Sequence, residues 1–155
     1  MTTGRKIAVV AVGGNALIRA KGAEALDEQY AAVADTVRHV VDLVEAGWRV
    51  VLTHGNGPQV GFILRRSEIA KDTVPTVPLA YAVGDTQGAI GFMFQNALIN
   101  ELIRRGQGAQ RVVALVTQTL VDADDPAFVR PDKPIGSYMD KEAAEQLAAQ
   151  QGWHI

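Results

Sequence analysis

The 155-residue sequence contains no cysteine. Disulfides, thiolate nucleophiles and cysteine metal sites are thereby excluded, and the composition fits a reducing compartment. Neither sign of charge dominates: 15 Lys and Arg stand against 17 Asp and Glu. The local basic pairs, Arg65-Arg66 and Arg104-Arg105, fall inside helical patterns, so no basic face for nucleic acid is indicated. No apolar run approaches the roughly 20 residues that span a bilayer, which argues against a membrane partner. The amino terminus, Met1-Thr2-Thr3-Gly4-Arg5-Lys6, leads into an apolar stretch too short and poorly flanked for a signal peptide. We read the chain as cytoplasmic. Low-complexity tracts are also lacking, and 48% of residues are hydrophobic, enough for the core of one domain or of a piece of one.

What the chain does have is a repeated grammar of buried strand, glycine turn and helix. Ile7-Ala8-Val9-Val10-Ala11-Val12 is apolar at both parities, as in a covered parallel strand, and runs into Gly13-Gly14-Asn15-Ala16-Leu17. Tyr30, Val33, Ala34, Val37, Val40, Val41 and Val44 then recur at helical steps, predicting a helix of about five turns. His39 falls off that stripe and reads as solvated. Gly47 stops the helix and Trp48 to Leu52 is the next strand. A right-handed β–α–β crossover makes the two strands parallel, so both glycine turns emerge at the same, carboxyl, sheet edge. Backbone N–H groups in such turns are free to meet an anion.

Beyond the second turn, Val60, Ile63, Leu64, Ser67 and Ile69 predict a helix, broken by Thr73-Val74-Pro75-Thr76-Val77-Pro78. Leu79 to Arg105 is helical again. Its Gly84, Gly88 and Gly91 share one face, open to close packing of another backbone or to a ligand. Arg111 to Val116 is expected to be a third strand, with Thr119-Leu120-Val121 extending it or starting another. Asp122, Asp124 and Asp125 lack the spacing of a calcium loop and read as a solvated turn. Asp140 is positioned to cap a last helix bearing Ala143, Ala144, Leu147 and Ala148. Trp48 and Trp153 read as packing residues.

Two familiar phosphate grammars fail. Neither turn carries the Lys-Ser/Thr of a P-loop, and Gly55-x-Gly57 places its next glycine at 61, one residue late for a dinucleotide fingerprint. What remains is a kinase without a P-loop, in which backbone amides of two loops stabilise the transferring phosphoryl oxygens. Asn15 and Asn56 suit left-handed turn geometry and can also donate amide N–H groups to an oxyanion. His54 reads as a hydrogen-bonding residue that shapes the loop, with general acid/base work the alternative.

In order along the chain, four motifs resemble carbamate kinase of the amino-acid kinase superfamily. They are the first turn; Thr53-His54-Gly55-Asn56-Gly57-Pro58-Gln59-Val60-Gly61; Gln87-Gly88-x-x-Gly91; and Val116-Thr117-Gln118 followed by Asp122-x-Asp124-Asp125-Pro126-Ala127-Phe128 and Lys133-Pro134-Ile135-Gly136. Ala11 stands where relatives acting on amino-acid carboxylates carry a lysine, and carbamate kinases share that difference. The resemblance implies a three-layer α/β/α sandwich with a mainly parallel open sheet, incomplete at the carboxyl terminus. Residues 1–121 are expected to form the amino-terminal lobe and 122–155 the start of a protruding lid, with the nucleotide-binding lobe absent.

The implied reaction is ATP + carbamate to ADP + carbamoyl phosphate, reversible and ATP-forming in arginine catabolism, with Mg²⁺. By the resemblance, Gly13, Gly14 and Asn15 face the transferring phosphoryl group, while Gly55, Asn56 and Gly57 hold the carbamate side. Lys133 is the catalytic lysine reaching over the site, and no protein metal ligand is expected. A homodimer is implied for the complete protein, or a separate chain supplying the second lobe; this chain alone is expected to be inactive. The alternatives are a non-catalytic remnant and another acyl-phosphate-forming kinase of the superfamily.

Overall fold

A computed structural model describes residues 6–20, 24–133, 135 and 140–151. Two strands, β1 (Ile7–Val12) and β2 (Arg49–His54), pair in parallel, in register from Ile7↔Arg49 to Val12↔His54. Between them runs α1 (Leu26–Glu45). Its first turn carries Asp27 and Glu28, which complement the positive end of the helix dipole. Gly47, at φ 85°, turns the chain from α1 back into β2, a conformation that costs any other residue more. After β2 come α2 (Gly57–Ile69) and the long α3 (Leu79–Arg104), then α4 (Lys141–Gln151). Asp140 Oδ1 accepts the Ala143 N–H at 2.9 Å, so α4 has the expected cap.

The core lies between one sheet face and the α1–α3 pair. Val33, Val37 and Val41 of α1 meet Ile90, Phe94 and Ala97 of α3, with Val12 and Leu17 from the sheet end, and Val10, Leu52 and Val44 packing around them. Ala82, Thr86, Ile90, Phe94 and Ala97 form a near four-residue row on α3, the ridge that fits a groove of α1. Tyr30, placed on the buried stripe by periodicity, lies instead at its rim, with Gln29 and Ala32 buried in its stead.

The Arg104-Arg105 pair is consumed internally. Arg104 grips Glu101 through Nε at 2.7 Å and Nη2 at 2.6 Å, and Arg105 Nε adds a third bond at 2.7 Å. Arg105 also reaches Asp42 and Glu45 of α1, at 2.5 and 2.9 Å. This network fastens the carboxyl ends of α1 and α3. Hydrogen bonding from Arg104, then Arg105, holds the Glu101 carboxyl well below the usual range, at about 2, although the side chain is buried.

The sheet differs from expectation in one respect. Residues 111–121 form no strand: among the described residues the sheet is β1-β2 alone. Their backbone is held by α3 side chains, with Gln95 Nε2 donating to Val112 O at 3.0 Å. Gln87 accepts from the Thr117 N–H at 2.8 Å and donates to Thr117 O at 3.2 Å. A β-branched run specifies an extended preference, but a ladder needs a partner strand within hydrogen-bonding distance, and among the described residues none lies there. The open parallel sheet with its helices agrees with the incomplete α/β fold anticipated; the described residues build the sheet and the helices on one face. Ile7, Val9 and Val51 on the opposite face are 61, 69 and 50% exposed. The single crossover through α1 covers only one side.

Gly91 meets Ala114, whose Cβ lies 3.0 Å from where a Gly91 Cβ would stand, so this glycine serves close packing. Nothing approaches the same position at Gly84 or Gly88, which do not. His39 is solvated, beside Asp42 at 3.6 Å, and Trp48 lies under the Lys6 ammonium, 5.2 Å from the ring centroid. Asp122 and Asp125 serve their own turn, accepting from the N–H groups of Asp124 and Ala127. Trp153, Pro134, Gly136 and the Leu147 side chain lie outside the described residues. No described helix is long and apolar enough to cross a membrane.

Candidate functional site

The parallel register ends with Val12 opposite His54, so both chains leave the sheet at one level. Gly55 N–H extends the ladder by one bond, to Val12 O at 2.9 Å. The first turn then tightens into a single 3₁₀ turn, Gly14–Ala16, closed by Ala16 N–H to Gly13 O at 2.9 Å. Leu17, fully buried, anchors its far end. The second passes through Asn56 into α2, with Pro58 in the first helical turn, where its missing N–H costs nothing, and Val60 buried beyond.

The two turns touch backbone to backbone. A Cβ built on Gly55 would stand 2.7 Å from Gly14 N and 3.3 Å from Gly14 Cα. One built on Gly14 would stand 3.2 Å from Pro58 Cδ. Gly55 is therefore required by the contact itself, while a side chain at Gly14 would press on the Pro58 ring. Gly13 and Gly57 differ: nothing lies within 4 Å of their Cβ positions, and Gly13 has the ordinary angles φ −64° and ψ 151°. The protein's own packing does not demand glycine at either place. Because the opening N–H groups of a helix or 3₁₀ turn have no partner within it, the joined turns present unpaired donors beside this open space.

Neighbouring side chains brace the second turn. Asn56 Nδ2 donates to Thr86 Oγ1 at 2.9 Å, and Thr86 in turn donates to Val83 O, tying the loop to α3. Asn56 has φ −145°, and among the described residues no side-chain-bearing residue has positive φ. The left-handed geometry expected of Asn15 and Asn56 is thus not adopted; α2 and the 3₁₀ turn begin directly and need no such residue. His54 Nδ1 donates to Gly55 O at 3.2 Å, and its ring stacks on Phe94, centroids 6.3 Å apart. That is a loop-shaping contact.

Thr86 was missed by sequence reasoning, although a polar residue in the buried row Ala82-Thr86-Ile90-Phe94 was a usable signal. Gln59 and Gln29 were missed as well: Gln59 Nε2 donates to Gln29 Oε1 at 3.0 Å, joining α2 to α1. Lys133 is exposed, and among the described residues no hydrogen bond or ion pair links it to either turn. Ala11 lies on the exposed sheet face, opposite Thr53.

No family model matches the chain. Carbamate kinase of Pyrococcus furiosus is 43% identical over 152 residues, covering 97% of this chain and 48% of that protein. Among solved structures, carbamate kinase from Giardia lamblia bound to citric acid superposes with a TM-score of 0.91 at 37% identity. The match covers 100% of this chain and 49% of the other. The same enzyme bound to AMP-PNP gives 0.80, also at 37% identity, over 100% and 48%. Sequence and fold thus agree with carbamate kinases over nearly all residues of this chain, which spans about half the length of the relatives it matches.

Proposed function

We propose that this chain is the amino-terminal half of a carbamate kinase, contributing the acceptor and phosphoryl-transfer loops for reversible transfer between ATP and carbamate. The observation that carries this reading is the Gly14–Gly55 contact. It joins the openings of two helical turns at one sheet edge, beside open space at Gly13 and Gly57 that internal packing leaves unexplained.

Carbamate brings an oxygen that is already anionic, so the acceptor needs no general base. The work left to the protein is positioning and charge stabilisation. The N–H groups around Gly13, Gly14 and Asn15 would meet the equatorial phosphoryl oxygens, and those around Gly55, Asn56 and Gly57 would hold the carbamate end. His54 keeps the second loop in shape through Gly55 O. Lys133, in residues 122–155 that begin a lid, would add positive charge once substrate is enclosed. ATP with Mg²⁺, when bound, supplies the phosphoryl group and neutralises its charge. The open positions at Gly13 and Gly57 suit a phosphoryl group at the loops. The nucleotide body is proposed to bind a second lobe. The ATP-forming direction, a cytoplasmic location and a homodimer of the complete protein belong to the same proposal; exposed Phe92, Ile99 and Ile103 on one side of α3 offer apolar surface for the last.

The test is ATP formation from carbamoyl phosphate and ADP. The chain would be assayed alone and combined with a polypeptide covering the carboxyl-terminal half of the Pyrococcus furiosus relative. Activity is expected only in the combination. Gly13→Ala, whose methyl would enter the space proposed for the phosphoryl group, and Lys133→Ala, which removes a positive charge, should each reduce it by about 10²-fold or more. Undiminished turnover by both variants would refute the site assignment.

A further inference from the structure

Asn56 stands immediately before α2, where an asparagine ordinarily turns its side-chain oxygen onto the first helical N–H groups. Here it makes no such cap. The side chain reaches α3 instead, and Nδ2 donates to Thr86 Oγ1 at 2.9 Å. Thr86 dictates which end of the amide faces it. Its hydroxyl has one proton, and that proton goes to Val83 O at 2.9 Å. Toward Asn56 the hydroxyl can then only accept, so Nδ2 must face Thr86 and Oδ1 must face away. Thr86 is buried, which shields this arrangement from water.

The Oδ1 so oriented has no hydrogen-bond partner and is open to solvent. It belongs to the joined turns, since the Asn56 nitrogen is 3.5 Å from where a Gly14 Cβ would stand. There it differs in kind from its surroundings. The carbonyls of Gly13, Gly14, Gly55 and Asn56 already accept bonds, from Ala16, Leu17, the His54 ring and Val60. Backbone N–H groups suit the oxygens of an anion but cannot accept from an amino group. Carbamate has both an anionic oxygen and an amino group; acetate, of nearly the same shape, has a methyl group in its place. We propose that Asn56 Oδ1 accepts a hydrogen bond from the substrate's amino group, and that Thr86 is the positioning residue that keeps the amide turned this way. Together they select carbamate over carboxylates of similar shape. Without the Thr86 hydroxyl the amide is free to swing onto the α2 N–H groups and withdraw Oδ1. The acceptor role rests on the carbamate kinase reading; the Thr86–Asn56 orientation does not.

The test compares two phosphoryl donors to ADP, carbamoyl phosphate and acetyl phosphate, which differ as NH₂ against CH₃. The chain is assayed in combination with the carboxyl-terminal half of the Pyrococcus furiosus relative. The native combination should prefer carbamoyl phosphate in kcat/KM, and Thr86→Val should lower that preference by about tenfold or more. Thr86→Ser, which keeps the hydroxyl, should retain it, and Asn56→Ala should lose it. A merely structural role for Thr86 would slow both donors alike. An unchanged ratio in Thr86→Val or Asn56→Ala, or an equal loss in Thr86→Ser, overturns the proposal while leaving the kinase reading intact. Turnover of neither donor by the native combination refutes the kinase reading and the acceptor role with it. The orientation is read without activity, from NMR of the chain alone. Thr86→Val should shift the Asn56 side-chain N–H signals, and unchanged signals would overturn the positioning role.

Discussion

Gly14 and Gly55 approach so closely that a methyl group on Gly55 would stand 2.7 Å from the Gly14 nitrogen. Both neighbours are backbone, so neither can swing aside, and the contact fixes how the two turns sit relative to each other.

Gly55→Ala should therefore be destabilising by about 1–3 kcal/mol, the cost of forcing atoms into a packed position. Gly13→Ala should alter stability by less than about 0.5 kcal/mol, because its Cβ enters open space at ordinary angles. Urea unfolding of the two variants checks the pair. Equal destabilisation would show that the turns do not meet as described.

The Glu101 network predicts a pH dependence with a definite sign. Its folded pKa, about 2, lies below the roughly 4.3 of an unfolded glutamate, so the folded state favours the ionised form. Its contribution is complete above the unfolded value and is lost as pH falls toward 2. Asp35, bonded to Arg19, and Asp42, bonded to Arg105, are lowered as well and act in the same direction. Urea midpoints of the native chain and Glu101→Gln should differ most near neutrality and converge in acid. Parallel curves from pH 7 to pH 3 would contradict the network.

Gln87 holds Thr117 through both the nitrogen and the oxygen of its side-chain amide. Gln87→Leu should release the 111–117 backbone, speeding exchange at Thr117 while lowering global stability by only about 1 kcal/mol. Unchanged exchange at Thr117 would mean that the segment is held by other contacts.

Ile90 is buried where α3 meets α1. Ile90→Ala should cost about 2–5 kcal/mol, measured by thermal or urea unfolding, through lost burial and an unfilled cavity. A loss below 1 kcal/mol would place the core elsewhere.

Much of this was legible from residue order because its physics is local. The Val stripe of α1, the glycine stops, the Asp140 cap and the two strand-to-turn passages depend on neighbours a few residues away. The strand expected at 111–116 failed for the opposite reason: its apolar β-branched residues specify an extended preference, while a ladder depends on what lies alongside. Asn56 illustrates the same limit, since its composition suited a left-handed turn and the early start of α2 made one unnecessary.

By itself, then, the sequence determined the parallel β–α–β unit, its handedness and the emergence of two glycine turns at one edge, since periodicity and chain chirality dictate all three. Only tertiary structure decided that the turns touch at Gly14 and Gly55 and that Thr86 braces Asn56. Those are distances between atoms far apart in the chain, and no local preference encodes them.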